Sequence, residues 1–363
     1  MLTWREENHR EYNWMAKGRG ARRAVWVQPV MEEAARERGL SSGAVLIDLI
    51  KAFGHLLLED VWHAGARAGF RMSILRASFE CSTFTRRFVY RGACSTSSVR
   101  TNAAVLPGLE HSTDFTLLAL MGPLDKLSHA HQGLSIFVIA DDTGICIHGT
   151  EQEVEERLLA APADCTQELK VARRMQVSRN KVGFNAAKTM ATVSSDKLGV
   201  FVKRKMGSVG IGLCKGGRNL GVEFGAGRGK LKRVVRGAKW KEARGKFVLA
   251  LELGRSAAPM ITRAALAVSF GYGAEVPGDT DGMLKGWRTM VAMSFGPVAG
   301  GSTTARLALE AADPGKNLVA KAVMSWVCAW WDGPMLKEDL RVAWRYAIKR
   351  VGMAPRPKVE VRG

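Results

Sequence analysis

The segment LSIFVIADDTGICIHG, residues 134–149, sets two adjacent aspartates between two stretches of strand-forming residues. Burying an unpaired carboxylate is costly, and two neighbouring carboxylates also repel each other. Because Asp favours turns, we expect a β-hairpin with Asp141 and Asp142 at its tip. Such a tip fixes both carboxylates at the edge of a sheet, where a cation can reach them.

The first two-thirds of the chain alternates strand and helix patterns. GAVLIDL, residues 43–49, is typical of a short buried strand, and apolar residues recur at helical spacing after it. Thr150 and Glu153 form a T-x-x-E capping box that predicts the start of a helix, and a further helix is expected from about 164 to 180. With a strand expected after Asn185, this order predicts an α+β or α/β domain.

Other segments are less regular. Residues 1–40 are charged and favour helix, whereas residues 76–104 are rich in Ser, Thr and Arg and indicate a hairpin or loop excursion. A second helical stretch follows Pro107-Gly108, and the last sixty residues again favour helix.

The charge is strongly positive. Lys and Arg number 54 against 34 Asp and Glu, giving a net charge of +20. This excess predicts a polyanionic partner, nucleic acid first and an anionic membrane surface second. Between residues 203 and 246 there are 14 basic and two acidic residues, and this stretch is predicted to bind nucleic acid.

The motif GAGRGKL, residues 225–231, is not a phosphate-binding loop. Phe224 stands where the first glycine of that motif belongs, and Leu231 replaces the Ser or Thr that follows its lysine. The segment is interpreted as a flexible basic loop whose Arg228, Lys230, Lys232 and Arg233 can contact a phosphate backbone. Ten tryptophans offer stacking surfaces for bases, but none is assigned that role.

Several other classes of protein are not indicated. The six cysteines include no C-x-x-C pair, so reduced thiols are expected and a zinc site is not. The amino terminus is polar, and no apolar run reaches the length of a membrane span. We therefore expect an intracellular protein, nuclear or cytoplasmic, without a signal peptide or transmembrane segment.

A third carboxylate joins the aspartate pair. Asp48 ends the apolar strand GAVLID immediately before a helical pattern. Three carboxylates at the ends of buried strands suit Mg²⁺ or Mn²⁺, with substrate phosphates completing the coordination. The alternative is that all three are ordinary turn residues of a structural or membrane-surface basic protein, in which Asp48 would lie far from Asp141.

Four segments resemble the reverse transcriptases of non-LTR retrotransposons, in the order that family has them. VLIDLIKAFGHLLLEDVWHAGARAGF resembles the first catalytic motif, and FVIADDTGICI is similar to the aromatic-x-Asp-Asp hairpin. VGFNAAKTMATVSS resembles the motif that follows the hairpin. VLPGLEHSTDFTLLALMGPLD lies where the family has a glycine-containing loop and helix under the nucleotide and template.

The resemblance implies RNA-directed DNA polymerase activity, with an RNA template, a DNA primer, dNTP substrates and two Mg²⁺ or Mn²⁺ ions. Asp48 and Asp141 would bridge the two ions, with Asp142 as the supporting carboxylate. The backbone from Leu49 through Ile50 to Ala52 would hold the triphosphate. Phe53 would lie under the sugar and Lys188 near the triphosphate.

The resemblance also implies an α+β right-hand polymerase fold, a palm of antiparallel sheet with packed helices. Partial fingers would span residues 1–40 and the palm residues 41–200, with a finger-like excursion at 76–104. A basic, mostly helical thumb would span 201–300, followed by a helical extension, 301–363. The thumb would grip the template–primer duplex through the basic residues Lys203, Arg204, Lys205, Arg228, Lys230, Lys232, Arg233 and Arg236.

Two departures from the family pattern are visible. Gly54 follows Lys-Ala-Phe where many relatives have an acidic residue, and LPGLEHS replaces the usual Pro-Gln-Gly-Ser loop. With only 47 residues before Asp48, the fingers would be mostly missing, as in a truncated copy. The alternative function is therefore a catalytically inactive retroelement remnant that only binds nucleic acid.

Overall fold

The structure is a computed structural model of the 363-residue chain. The residues it describes are 2–49, 53, 56–100, 105, 108, 110–173, 190–206, 211–214, 217–220, 222–224, 234–254, 256–276, 278–296, 303, 305, 307, 313–333 and 335–353. The chain divides into two compact units. The first comprises residues 1–21 and 41–214, and the second comprises residues 22–40 and 215–363.

The elements are numbered in chain order across both units. The helices of the first unit are α1 (Leu2–Glu7), α3 (Leu58–Arg67), α4 (Met72–Thr83), α5 (Ser112–Ala130), α6 (Glu151–Arg173) and α7 (Asp196–Lys205). Its strands are β1 (Ser41–Asp48), β2 (Val89–Tyr90), β3 (Ala93–Cys94), β4 (Ser135–Ile139), β5 (Asp142–Gly149), β6 (Met190–Val193) and β7 (Gly212–Leu213). The second unit contains α2 (Ala21–Glu37), which begins at its boundary, with β8 (Gly217–Asn219), β9 (Val222–Phe224), α8 (Val234–Glu252), α9 (Ala257–Ile261), α10 (Ala267–Gly271), α11 (Asp281–Ser294), α12 (Pro314–Asp332) and α13 (Lys337–Met353).

The main sheet has five strands in the order β4-β5-β1-β6-β7. β1 pairs antiparallel with both β5 and β6, and β4 pairs antiparallel with β5. The short strand β7 instead runs parallel to β6. The α+β class is thus confirmed, and the sheet is mixed, because β7 departs from the antiparallel arrangement that was predicted.

The alternating side chains of the central strands explain the core of the first unit. Val45 and Ile47 of β1 and Ile145 and Ile147 of β5 are fully buried in one apolar cluster. The same cluster includes residues of α5, α6 and α7, such as Leu124, Leu158 and Leu198. Because successive side chains of a strand point to opposite faces, these helices cover the face of the sheet to which the four β-branched residues point.

Helix α6 confirms the predicted start and corrects the predicted break. The Thr150 hydroxyl accepts from the Glu153 amide at 3.3 Å, while the Glu153 carboxylate accepts from the Thr150 amide at 2.8 Å, so the capping box forms. Two helices were expected, but one helix runs through Pro162 to Arg173. Leu158, Ala161 and Cys165 on either side of the proline are all buried in the core, which favours continuing the helix.

The segment predicted as an excursion, residues 76–104, is partly helical. α4 extends to Thr83, so only the residues beyond it form the predicted hairpin, β2 and β3. The apolar residues of α3 and α4 pack with Trp4 and Phe115 in a second cluster of the first unit. This cluster gives the helical stretch a tertiary partner that its sequence does not reveal.

The second unit has its own core, formed by α8, α10 and α11. Phe247, Phe270 and Trp287 are buried in it, and the rings of Phe270 and Trp287 lie 4.8 Å apart between centroids. Trp26 of α2 packs edge-on against Trp326 of α12, so residues 22–40 are held within this unit. Within the described part of the chain, no helix combines the length and the apolar character needed to cross a bilayer.

Cysteine reactivity tests the packing of the first unit. Cys81 and Cys94 are exposed, whereas Cys146 and Cys165 are buried, and burial raises the pKa of Cys165 to about 12. We expect a thiol reagent at pH 8 to modify Cys81 and Cys94 rapidly and to reach Cys146 and Cys165 only on unfolding. Peptide mapping after alkylation measures this, and rapid native labelling of Cys165 would contradict the core described above.

Asp313 is expected to make the stability of the second unit depend on pH. The hydrogen bond from Arg288 holds the pKa of Asp313 below its ordinary value of 3.8, and the same carboxylate caps α12 by accepting from the Gly315 amide at 2.9 Å. A lowered carboxyl pKa stabilises the fold at neutral pH, and this contribution is lost as the pH falls below about 4.

Asp313→Asn keeps a capping side chain and removes the ion pair, so it should cost up to ~1 kcal/mol at pH 7. The difference from the original chain in urea unfolding should shrink as the pH is lowered from 5 to 3. Asp313→Ala, which also removes the cap, is the matched comparison and should cost more. A difference that grows on acidification would show that the assigned ion pair is not the cause.

Candidate metal centre at the aspartate hairpin

The predicted hairpin is present, with Asp141 in its turn, but Asp142 is the first residue of β5 and not part of the tip as predicted. β4 and β5 are joined by the two residues Ala140 and Asp141, and Ile139 pairs with Asp142 across the ladder. Ala140 has φ = 54°, in the left-handed region that non-glycine residues rarely adopt. Its amide donates to Sδ of Met15 at 3.1 Å, which helps to hold this turn.

The outer strand of the hairpin is covered by the amino-terminal segment. The Val138 amide donates to the Tyr12 carbonyl at 2.8 Å, and the Trp14 amide donates to the Val138 carbonyl at 3.0 Å. The Trp14 ring stacks on Phe137 with 5.0 Å between centroids. These contacts fix β4, and with it the position of the aspartate turn.

The amino-terminal segment is in turn anchored on α5. The Tyr12 hydroxyl donates to Asp125 at 2.7 Å, and Arg10 donates to the same carboxylate at 2.9 Å. Burial, followed by the interaction with Asp125, raises the pKa of Tyr12, so its hydroxyl stays protonated and donates. These supporting residues could not be predicted from the sequence, because nothing local to Tyr12 or Met15 indicates contact with β4 or α5.

The central strand brings Asp48 to the hairpin. In the β1–β5 ladder Asp48 pairs with Asp142, and Ile47 pairs with Thr143. The backbone of Asp48 therefore lies directly opposite that of Asp142, at the same end of the sheet as the Asp141 turn. The wide separation expected from a structural or membrane-surface protein is not found. The side chain of Asp48 is outside the described set.

Asp141 and Asp142 are both half-buried. Two adjacent carboxylates supply hard oxygen ligands, which suit Mg²⁺ or Mn²⁺ rather than softer metals. Among the described side chains, no three His, Cys, Asp or Glu residues form a group that could hold a metal ion. The described side chains of the site are thus the two carboxylates of Asp141 and Asp142. The proposed third ligand, Asp48, is placed near them only by the pairing of its backbone with Asp142.

The residues predicted to contact the nucleotide are only partly described. Leu49 is buried in the core of the sheet, and Phe53 is half-buried against the second apolar cluster of the unit. The Phe53 carbonyl accepts from the Val105 amide at 3.1 Å. Ile50 and Lys188 lie outside the described residues.

The basic residues predicted to bind nucleic acid fall into three groups. Lys203, Arg204 and Lys205 are exposed in the last turn of α7, where positive charge also favours the helix dipole. Arg236 is described below, and the remaining four lie outside the described residues: Arg228, Lys230, Lys232 and Arg233.

Arg236 occupies a different environment from the surface position that was predicted. It is 2% exposed, its Nε donates to Asp279 at 2.9 Å, and its guanidinium also bonds to the Phe270 carbonyl. The guanidinium lies over the Phe270 ring, 4.2 Å from the centroid. In this position Arg236 stabilises the second unit and has almost no surface to offer a phosphate.

Comparison with known proteins adds no assignment to this geometry. A scan against protein-family models finds no match, and a search of curated proteins finds none either.

Proposed function

We propose that the chain is an RNA-directed DNA polymerase of the retroelement type, with Asp48, Asp141 and Asp142 as its metal-binding carboxylates. The observation that carries the proposal is the register of β1 against β5, which places Asp48 opposite Asp142 and beside the Asp141 turn. Register partners on neighbouring antiparallel strands share a face and lie about 5 Å apart. That backbone spacing for Asp48 and Asp142, with Asp141 next to Asp142 in the chain, supports a shared site for divalent cations.

The donor set fits Mg²⁺ or Mn²⁺, since it consists of carboxylate oxygens. When bound, two such ions would activate the primer 3′-hydroxyl and neutralise charge on the departing pyrophosphate. Asp48 and Asp141 would hold both ions, and Asp142 would support them. The backbone after Asp48 would position the triphosphate, with Phe53 near the sugar and Lys188 near the phosphates.

The α+β class of the first unit is compatible with the palm of such an enzyme. Under the proposal, the five-stranded sheet and helices α5 and α6 are the palm, and residues 201–300 are the thumb. Exposed Lys203, Arg204 and Lys205 would contact the template–primer duplex through its phosphates. The substrates would be an RNA template, a DNA primer and dNTPs.

Primer extension by the full chain tests the proposal. A labelled DNA primer annealed to RNA, with Mg²⁺ or Mn²⁺ and four dNTPs, should be lengthened only when template, metal and dNTPs are all present. Failure to extend the primer under both metals would remove the polymerase assignment.

A second candidate is an inactive remnant that binds nucleic acid. Gly54 and the LPGLEHS loop, which depart from the family pattern, favour it, and the net charge of +20 accounts for binding. It predicts tight, strongly salt-dependent duplex binding without incorporation. The same assay separates the two, because binding and extension are measured on one template–primer.

A further inference from the structure

The hairpin β2–β3 carries an unusual set of side chains. From Cys81 to Leu109 the sequence contains four arginines and neither Asp nor Glu. Within this stretch Phe88 is 73% exposed and Tyr90 is 72% exposed. Large aromatic rings are rarely left in solvent without a partner, and here they stand in a stretch of purely positive charge.

The hairpin has a defined shape that presents these rings together. Tyr90 pairs with Ala93, and the two residues between them, Arg91 and Gly92, have φ of 48° and 83°, which indicates a tight primed turn. Phe88 directly precedes β2, and its carbonyl accepts from the Ser95 amide at 2.8 Å, which continues the pairing of the hairpin by one residue. Alternate residues of paired extended chain share a face about 7 Å apart, so Phe88 and Tyr90 are expected on the same face. That separation is close to twice the thickness of a stacked base.

The base of the hairpin is tied to α4. The Arg86 guanidinium donates to the carbonyls of Cys81 and Ser82, at 3.1 and 2.6 Å, which also satisfies the end of that helix. Arg86 pairs with Val99 across an isolated bridge. The base of the hairpin that bears Phe88 and Tyr90 is therefore fixed, which limits the conformational entropy lost when a ligand binds.

The remaining arginines are available for an anion. Arg87, Arg91 and Arg100 are exposed, and within the described part of the chain no carboxylate forms an ion pair with any of them. Arg91 lies over one face of the Tyr90 ring, 5.4 Å from its centroid, and the Tyr90 side chain is still 72% exposed. Guanidinium groups next to exposed rings match the alternating phosphates and bases of a nucleic-acid strand.

We propose that this hairpin, residues 86–100, binds single-stranded nucleic acid by stacking bases on Phe88 and Tyr90 and pairing phosphates with Arg87 and Arg91. A second copy of the chain is disfavoured because it would set two arginine clusters against each other. An anionic membrane is disfavoured because the tip of the hairpin is Arg91-Gly92, so insertion would bury a guanidinium first. The inference goes beyond polymerisation, since it requires neither the metal centre nor a nucleotide.

Binding of a labelled 20-nucleotide single-stranded RNA to the full chain in EDTA tests the proposal by fluorescence anisotropy. Phe88→Ala with Tyr90→Ala should raise Kd roughly tenfold or more, given what base–aromatic stacking contributes. Val89→Ala, an exposed neighbour on the opposite face, is the matched control and should leave Kd unchanged. Arg87→Gln with Arg91→Gln should reduce the slope of log K against log salt by roughly 1.4.

A footprint on the hairpin gives a second readout. Cys94 of β3 is exposed, so saturating RNA should slow its alkylation, while Cys328 of the second unit should react at an unchanged rate. Unchanged RNA affinity in the double ring variant, or an equal loss in Val89→Ala, would overturn the proposal. The proposal would also be overturned if Phe88→Ala with Tyr90→Ala lost binding to phosphatidylserine vesicles but kept its affinity for RNA. RNA binding is measured in EDTA, which removes the metal ions that polymerisation requires. The result therefore does not depend on whether the chain is a polymerase.

Discussion

Asp141→Asn is expected to abolish primer extension while leaving the fold intact. The substitution keeps the size of the side chain and removes one of the charges that the proposed cations require. Metal ions contribute several kcal/mol of transition-state stabilisation, so incorporation should slow by at least about a hundredfold. Because Asp141 lies in a two-residue turn, where Asn is equally favoured, thermal unfolding should change little.

Asp164→Asn is the matched control. This carboxylate is also in the first unit, but it lies on α6 and bonds at 2.8 Å to His131, which precedes the start of β4, whereas Asp141 follows the end of that strand. It should extend primers like the original chain. If Asp141→Asn and Asp164→Asn have comparable activity on the same template–primer, the aspartate hairpin has no role in catalysis.

Arg236→Ala is expected to cause the largest loss of stability in the second unit. Arg236 and Asp279 are 2% and 6% exposed, and the pair is joined by two guanidinium nitrogens on one carboxylate oxygen. Removing one partner leaves the other charge buried without compensation, which costs about 3–5 kcal/mol. The stacking of the guanidinium on Phe270 is lost as well.

Joint replacement separates pairing from packing. Arg236→Met with Asp279→Leu removes both charges and fills much of the same volume, so it should recover most of the stability lost in Arg236→Ala. Urea unfolding followed by tryptophan fluorescence measures both variants. A cost below ~1 kcal/mol for Arg236→Ala would contradict a buried ion pair at this position.

Local patterns predicted the parts of the fold that local chemistry determines. The hairpin at Asp141 and the capping box at Thr150 follow from a few neighbouring residues, and both are present. The strand that ends at Asp48 was likewise predicted from its apolar run. Its register against β5 was not predictable from either strand alone, because register depends on which strands become neighbours.

Tertiary contacts decided the features that the sequence did not predict. Arg236 was predicted to contact nucleic acid because it lies in a basic stretch. Its partners in the fold, Asp279 and Phe270, are distant in sequence and could not be inferred from that stretch. Separate helices were expected before and after residue 164, but one helix continues through Pro162, and burial of Leu158 and Cys165 on that helix outweighs the cost of the proline. The parallel pairing of β7 depends on a segment too short to carry a strand pattern.

Mn²⁺ binding, measured by electron paramagnetic resonance, tests whether Asp48, Asp141 and Asp142 hold divalent cations together. The full chain with template–primer and dNTP should bind two Mn²⁺ ions, as two-metal nucleotidyl transfer requires. Asp48→Asn and Asp141→Asn should each lose this binding, whereas Asp164→Asn should retain it. Equal Mn²⁺ binding by all four proteins would contradict the assignment of these carboxylates as a metal centre.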